Sequence, residues 1–164
     1  MIDKIKIKEL ADKCDELLTK LILDERKYDE SIDSSFEVNN YFNNYINDED
    51  KILLGYFIDN ILVGYIYAYE TVSNNIKGLF IDGLYVESEY RNKGIAKELI
   101  NKIILEAEKR EAKFIDIKVM SKNEVAKHLY ESLNFNEFKV MMRKEMTNWK
   151  FYLINSYFID NISM

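Results

Sequence analysis

Hydrophobic and polar positions change period several times along this chain. Ile5 and Ile7 alternate with lysines, the two-residue period of a short first strand. From Glu9 the spacing becomes helical: Leu10, Cys14, Leu17, Leu18 and Leu21 fall on one stripe and predict a helix to about Lys27. Residues 28–36 are polar and loop-like. Over 38–46, Tyr41, Phe42 and Tyr45 share a helical face, which predicts a second helix. Residues 51–58 and 61–70 then read as strands joined by Asp59-Asn60, a pair that tolerates the positive φ of a hairpin turn. Asn74-Asn75 marks a second turn, and residues 77–87 are rich in strand formers.

At Gly94 the period returns to helical. Ile95, Ala96, Leu99, Ile100, Ile103 and Ala107 form the stripe, with Glu98–Lys102 and Glu106–Arg110 as i,i+4 pairs on the wet face. Residues 114–119 alternate, placing Ile115, Ile117 and Val119 inward. Ser121 and Glu124 have capping-box spacing, predicting a helix whose inner face carries Val125, Ala126, Leu129 and Leu133 and which ends near Asn134. Residues 135–146 read as a last strand. The order β-α-α-β-β-β-α-β-α-β predicts an α+β fold with a mostly antiparallel mixed sheet. Strand, helix and strand around the long helix imply one parallel pair with a right-handed crossover.

Length and composition fit one folded domain: 164 residues, 48% apolar. Residues 1–146 form that domain. Residues 147–164, with Trp149, Phe151, Tyr152, Leu153, Tyr157, Phe158 and Ile159, are expected to pack on it or on a second copy, giving a homodimer. With 23 basic and 29 acidic residues the formal net charge is −6, which argues against nucleic acid as a partner. A single cysteine, Cys14, excludes an intrachain disulfide, and one histidine, His128, leaves no ligand set for structural zinc. No apolar run resembles a signal peptide or a membrane span, so the expectation is a cytoplasmic protein.

The chemistry concentrates where strand 77–87 meets the long helix. A helix N-terminus presents unpaired N–H groups and partial positive charge, and a strand feeding into it makes a seat for a pyrophosphate. Gly94 admits a close approach, Ala96 is small, and Arg91 and Lys93 add positive charge.

The runs Ile81-Asp82-Gly83-Leu84-Tyr85-Val86 and Glu89-Tyr90-Arg91-Asn92-Lys93-Gly94-Ile95-Ala96 resemble the coenzyme A signature R/Q-x-x-G-x-G/A of the GNAT superfamily of N-acetyltransferases. Asn123, Ala126, Tyr130 and Asn134-Phe135 are similar to that family's later N-x-x-A-x-x-x-Y-x-x-x-G-F run. The element order resembles the family from Ile5 to Met146, the motifs only from Ile81 to Phe135. Asparagine replaces the family's frequent glycine at Asn92 and Asn134, and serine its frequent proline at Ser88. Asparagine is the non-glycine residue best suited to positive φ.

The resemblance implies a GNAT-like fold with helices on both faces of the sheet, acetyl-CoA as cofactor, and transfer of its acetyl group to a primary amine of a small molecule in a ternary complex. It places the pyrophosphate on Arg91, Asn92, Lys93, Gly94, Ile95 and Ala96, and the pantetheine beside Leu84, Tyr85 and Val86. Asn123 and Ala126 lie near that arm, and an N–H near Tyr85 or Val86 polarises the thioester. The strand bulges there and splays from 114–119. Tyr130 protonates the departing thiolate. Asp82 reads equally as acceptor of the amine proton and as a surface aspartate. Tyr28, Asp29, Tyr67 and Glu70 are candidate acceptor contacts, with Tyr69 nearby and Asp24, Glu25 and Glu30 adding negative charge. Two readings stand beside this one: acetylation of a protein N-terminus or lysine, and a non-catalytic acyl-CoA-binding module.

Overall fold

The computed structural model describes residues 1–144. Met1–Asn134 form one compact unit, and the chain from Phe135 belongs to a second. Within the first, a five-stranded sheet runs in order β1-β2-β3-β4-β5: β1 (Ile2–Lys4), β2 (Lys51–Ile58), β3 (Ile61–Ser73), β4 (Ile76–Val86) and β5 (Ile115–Ile117). The first four strands are antiparallel, and β4 pairs with β5 in parallel. The long helices are α1 (Lys8–Glu25) and α2 (Ile95–Lys109), with a short α3 (Glu124–Glu131).

Both hairpin turns follow from their asparagines. Asp59 and Asn60 have φ of 49° and 64°, Asn74 and Asn75 of 51° and 63°, the paired positive values of a type I′ turn. Two faces of the meander are then covered. Ala11, Cys14 and Leu17 of α1 cluster with Leu53, Tyr65, Tyr67 and Tyr85. The alternate residues Ile52, Leu54, Ile66 and Ala68 are also buried, on the side where α2 packs with Ile95, Leu99, Ile100 and Ile103. Each such aliphatic side chain contributes roughly 1.5–3 kcal/mol by leaving water.

Several expectations need correction. The first strand lies at Ile2–Lys4 and not around Ile5 and Ile7; Ile5 is core, and Ile7 is exposed beside α1. The helix expected over 38–46 reduces to one 3₁₀ turn, Phe42–Asn44. The buried Asp15 carboxylate accepts from Tyr41 N at 3.2 Å and Phe42 N at 3.1 Å, and Thr19 Oγ1 accepts from Val38 N at 2.9 Å. These bonds to α1 satisfy the backbone in place of a helical ladder. Asn123, not Ser121, caps α3, its side chain accepting from Ala126 N at 3.2 Å. Val125 is 80% exposed; the inner face of α3 carries Ala126, Leu129 and Tyr130, with Leu133 just beyond. Val119 lies outside β5 and is exposed. Glu106 pairs with Lys109, and Arg110 pairs with Glu70.

In the second unit, residues 135–144 hold no helix or strand, so the expected last strand does not form there. The tail at 147–164 lies outside the described residues.

Candidate active site

One irregularity of β4 organises the site. Tyr67 pairs with Gly83 and Ala68 with Ile81, so Asp82 is an extra residue, a β-bulge. The bulge explains the packing. Phe80 meets Tyr69 at 5.5 Å between ring centroids, while Tyr85 joins the α1 cluster; five residues apart, they share a face because the bulge resets the alternation. Asp82 therefore lies on the α1 face, exposed, and its negative charge reaches the hydroxyls of Tyr41, Tyr67 and Tyr69.

The same bulge opens an edge. β5 pairs only with Leu79, Phe80 and Ile81, and beyond Ile81 the two strands part. Glu87 N donates to Val63 O at 2.9 Å, toward β3. By antiparallel alternation Tyr85 and Gly83 also turn toward β3, whereas Leu84 and Val86 turn toward the gap. Tyr85's N–H is thus directed into the sheet, and the backbone facing the gap belongs to Leu84 and Val86. The Val86 carbonyl accepts from Arg91 Nε at 2.8 Å.

The turn into α2 lies at the end of this edge. After a 3₁₀ turn at Ser88–Tyr90, Asn92 takes φ 61° and Gly94 φ 82°, both left-handed. The first intrahelical bond is Glu98 N to Gly94 O, so the N–H groups of Ile95, Ala96 and Lys97 have no carbonyl one turn earlier. A Cβ on Gly94 would meet nothing within 4 Å, so space lies open beside the helix start. An open strand edge running to an open helix N-terminus fits an extended pantetheine ending in a pyrophosphate.

Arg91 departs from the simple charge picture. Its Nη2 bonds Asp24 Oδ2 at 2.9 Å and its guanidinium lies 5.1 Å from the Tyr85 ring centroid. It ties the turn to the end of α1, as does Lys20 with Glu87 at 2.5 Å. Lys93 Nζ stands 5.0 Å from the Tyr90 ring centroid.

Tyr130 points from the inner face of α3. Burial, then the negative charge of Glu25, raises its phenol to about 12. Burial and then Asp29 raise the Glu25 carboxyl above its ordinary range. The end of α1 and α3 thus bring an acid and a phenol together. Tyr28 N and Asp29 N bond Glu25 O at 2.8 and 3.0 Å, and Asp29 Oδ1 holds Ser31 N at 3.0 Å. Asn123's oxygen is engaged as the α3 cap, with Ala126 its partner. Glu70 stands apart: it alternates with Tyr67 and Tyr69, and its carboxylate pairs with Lys77 at 3.0 Å and Arg110 at 2.7 Å, on the α2 side. His128 is exposed near Glu131.

A continuous row of rings was only half legible from sequence. Tyr41, Tyr45, Tyr67, Tyr69 and Phe80 touch in succession along the face that carries Asp82. The alternation Tyr65-Tyr67-Tyr69 signals one strand face; Phe80 joins it from the neighbouring strand, which single-chain spacing does not reveal.

Residues 16–135 match the acetyltransferase (GNAT) family model, and the chain belongs to that family. Among solved structures it resembles a tetramutant of a Bacillus halodurans protein (20% identity, TM-score 0.79, covering 89% of this chain and 99% of that one). It also resembles a ribosomal-protein-alanine N-acetyltransferase from Brucella melitensis biovar Abortus 2308 (21%, 0.64, covering 89% and 100%). A third is an aminoglycoside acetyltransferase from an uncultured soil metagenomic sample (19%, 0.62, covering 90% and 99%). Among curated proteins none matches the sequence. No helix among the described residues is long and apolar enough to cross a membrane.

Proposed function

We propose that the protein binds acetyl-CoA along the gap beyond Ile81 and transfers the acetyl group to a primary amine of a small molecule. The observation that carries this reading is the continuity of the open β4 edge with the Gly94 turn and the start of α2. When bound, acetyl-CoA supplies an activated thioester. Leu84 and Val86 align its arm by backbone pairing, and an N–H at that edge steadies the negative charge that develops on the acetyl oxygen. The N–H groups of Ile95, Ala96 and Lys97 hold the pyrophosphate, with Lys93 nearby.

Asp82 stands on the face from which an amine approaches and receives its proton, directly or through a water. A free alkylamine is mostly protonated at neutral pH, with a pKa near ~10, so this removal is required before attack. As the C–N bond forms and the C–S bond breaks, the nitrogen gives up its second proton to solvent, while Tyr130 gives its proton to the thiolate and recovers one from solvent.

The test is calorimetric titration of acetyl-CoA together with thiol release in the presence of amines. Gly94→Glu places an anion where phosphate sits and also strains φ 82°. The expected result is loss of acetyl-CoA binding by a variant that remains folded. Unchanged affinity would exclude this seat.

A further inference from the structure

Arg91 is held by the protein from several directions at once. Its Nε donates to the Val86 carbonyl at 2.8 Å, its Nη2 donates to Asp24 Oδ2 at 2.9 Å, and its guanidinium lies 5.1 Å from the Tyr85 ring centroid. Tyr85 belongs to the buried cluster under α1, and Asp24 lies in the last turn of that helix. A guanidinium is a rigid planar fork, so one nitrogen can serve a carbonyl while another serves a carboxylate. The bond to Asp24 is exposed and adds little stability by itself; its effect is to aim the fork.

The bond to Val86 has the larger consequence. Along an edge strand the N–H and C=O of one residue turn to the same side. A Cβ on Gly64 would stand 2.8 Å from the Tyr85 carbonyl, which places that oxygen on the β3 side. The Val86 carbonyl therefore lies on the side of the gap, where an extended ligand would take it as its next pairing partner. Arg91 already occupies it. The open edge is left with the N–H and C=O of Leu84 and the N–H of Val86, and pairing ends there. Beyond that point the chain turns through Asn92 and Gly94 into α2.

We propose that Arg91 is a positioning residue for the coenzyme A arm. By capping the Val86 carbonyl it stops backbone pairing at one fixed residue and so sets the register of the thioester, with Asp24 holding the guanidinium in place. The assignment rests on the acetyl-CoA reading above. It gives Arg91 a role that acts through Val86, distinct from that of a cation laid on the pyrophosphate. The arm of coenzyme A has a fixed length, so a slip of its pairing carries the thioester away from the point of amine attack. A lysine at this position keeps the charge but has one nitrogen where the fork has two held apart.

The experiment measures thiol release from two donors, acetyl-CoA and S-acetylpantetheine, which has the arm but no phosphate. The acceptors are 1-aminobutane and an alanyl peptide, and the proteins are wild type, Arg91→Lys, Arg91→Met and Asp24→Ala. Coenzyme A is titrated calorimetrically into each protein in parallel. The expected result is a fall in kcat/KM of about 10-fold in both Arg91 variants with both donors, as loss of one charge-assisted hydrogen bond gives. Asp24→Ala should fall by about 3-fold with both donors, as an exposed ion pair gives. Arg91→Lys at the wild-type level, or a loss confined to acetyl-CoA, overturns the proposal in favour of a charge that contacts phosphate. Where S-acetylpantetheine is too poor a donor to measure, Arg91→Lys with acetyl-CoA decides alone. Coenzyme A binding without thiol release to either acceptor counts against the transfer reading, and affinity then decides the role of Arg91. Binding about 10-fold weaker in Arg91→Lys supports it, and unchanged binding refutes it. No coenzyme A binding by the wild type overturns both readings.

Discussion

Tyr130 keeps its proton across the neutral range because burial sets its phenol at about 12. That favours a donor and disfavours a base. A thiolate with a pKa near ~8.5 leaves fairly well unaided, so donation is worth the lower part of the usual ~100- to 10,000-fold range of general acid catalysis. Tyr130→Phe should therefore cut turnover by about 100-fold and leave acetyl-CoA affinity unchanged, since the phosphate seat we propose lies on another element. Steady-state kinetics beside calorimetry checks this, and full activity would reduce Tyr130 to a packing ring. Any alkaline loss of rate with an apparent pKa below ~10 must then belong to a group other than this phenol. The residue was readable from its position in the N-x-x-A-x-x-x-Y run. Its pairing with Glu25 was not, because α1 and α3 are joined in space across more than a hundred residues of chain. Asp24 shows the reverse: its position suggested charge for an acceptor, yet it spends its carboxylate on Arg91.

At the scale of elements, the path of 38–45 is set by α1. Asp15 is 3% exposed and accepts from two backbone N–H groups of that segment. Asp15→Ala leaves both donors orphaned, at ~1–3 kcal/mol each, so a loss of about 2–6 kcal/mol is expected in denaturant unfolding. A variant with wild-type stability would mean that the segment holds its course without Asp15. The sequence misled here for a physical reason: Tyr41, Phe42 and Tyr45 have helical spacing, but bonds to α1 outcompete a helix of nine residues that is too short to hold alone. Long periodic elements such as α1, α2 and the β2–β3 hairpin were legible because pattern and turn chemistry agreed. The bulge at Asp82 was not located by pattern, since one extra residue leaves no mark on a run already rich in strand formers. The capping asparagine of α3 competed with Ser121, two residues away, and geometry alone decided between them.

For the molecule as a whole, buried phenols tie stability to alkaline pH. Burial is the leading cause that raises Tyr65, Tyr67 and Tyr130 above the ordinary tyrosine value of 10.0. Above that value the unfolded chain has released protons that the folded chain still holds. The unfolded state then binds fewer protons, and stability falls as pH rises, by ~1.36 kcal/mol per pH unit for each group so held. Below ~10 both states keep these protons, so the three phenols add no pH dependence there. Tyr65 isolates the effect: it is fully buried on the α1 face, and its hydroxyl has no hydrogen-bond partner among the described residues. Tyr65→Phe removes one proton from the balance and one unsatisfied oxygen from the core. Its stability at neutral pH should equal or exceed that of the wild type, and its alkaline decline should be shallower by about one proton. Urea unfolding from pH ~8 to ~11 measures both slopes. Parallel curves would mean that the Tyr65 phenol titrates in the fold as it does in the open chain, and that burial of this face does not govern alkaline stability.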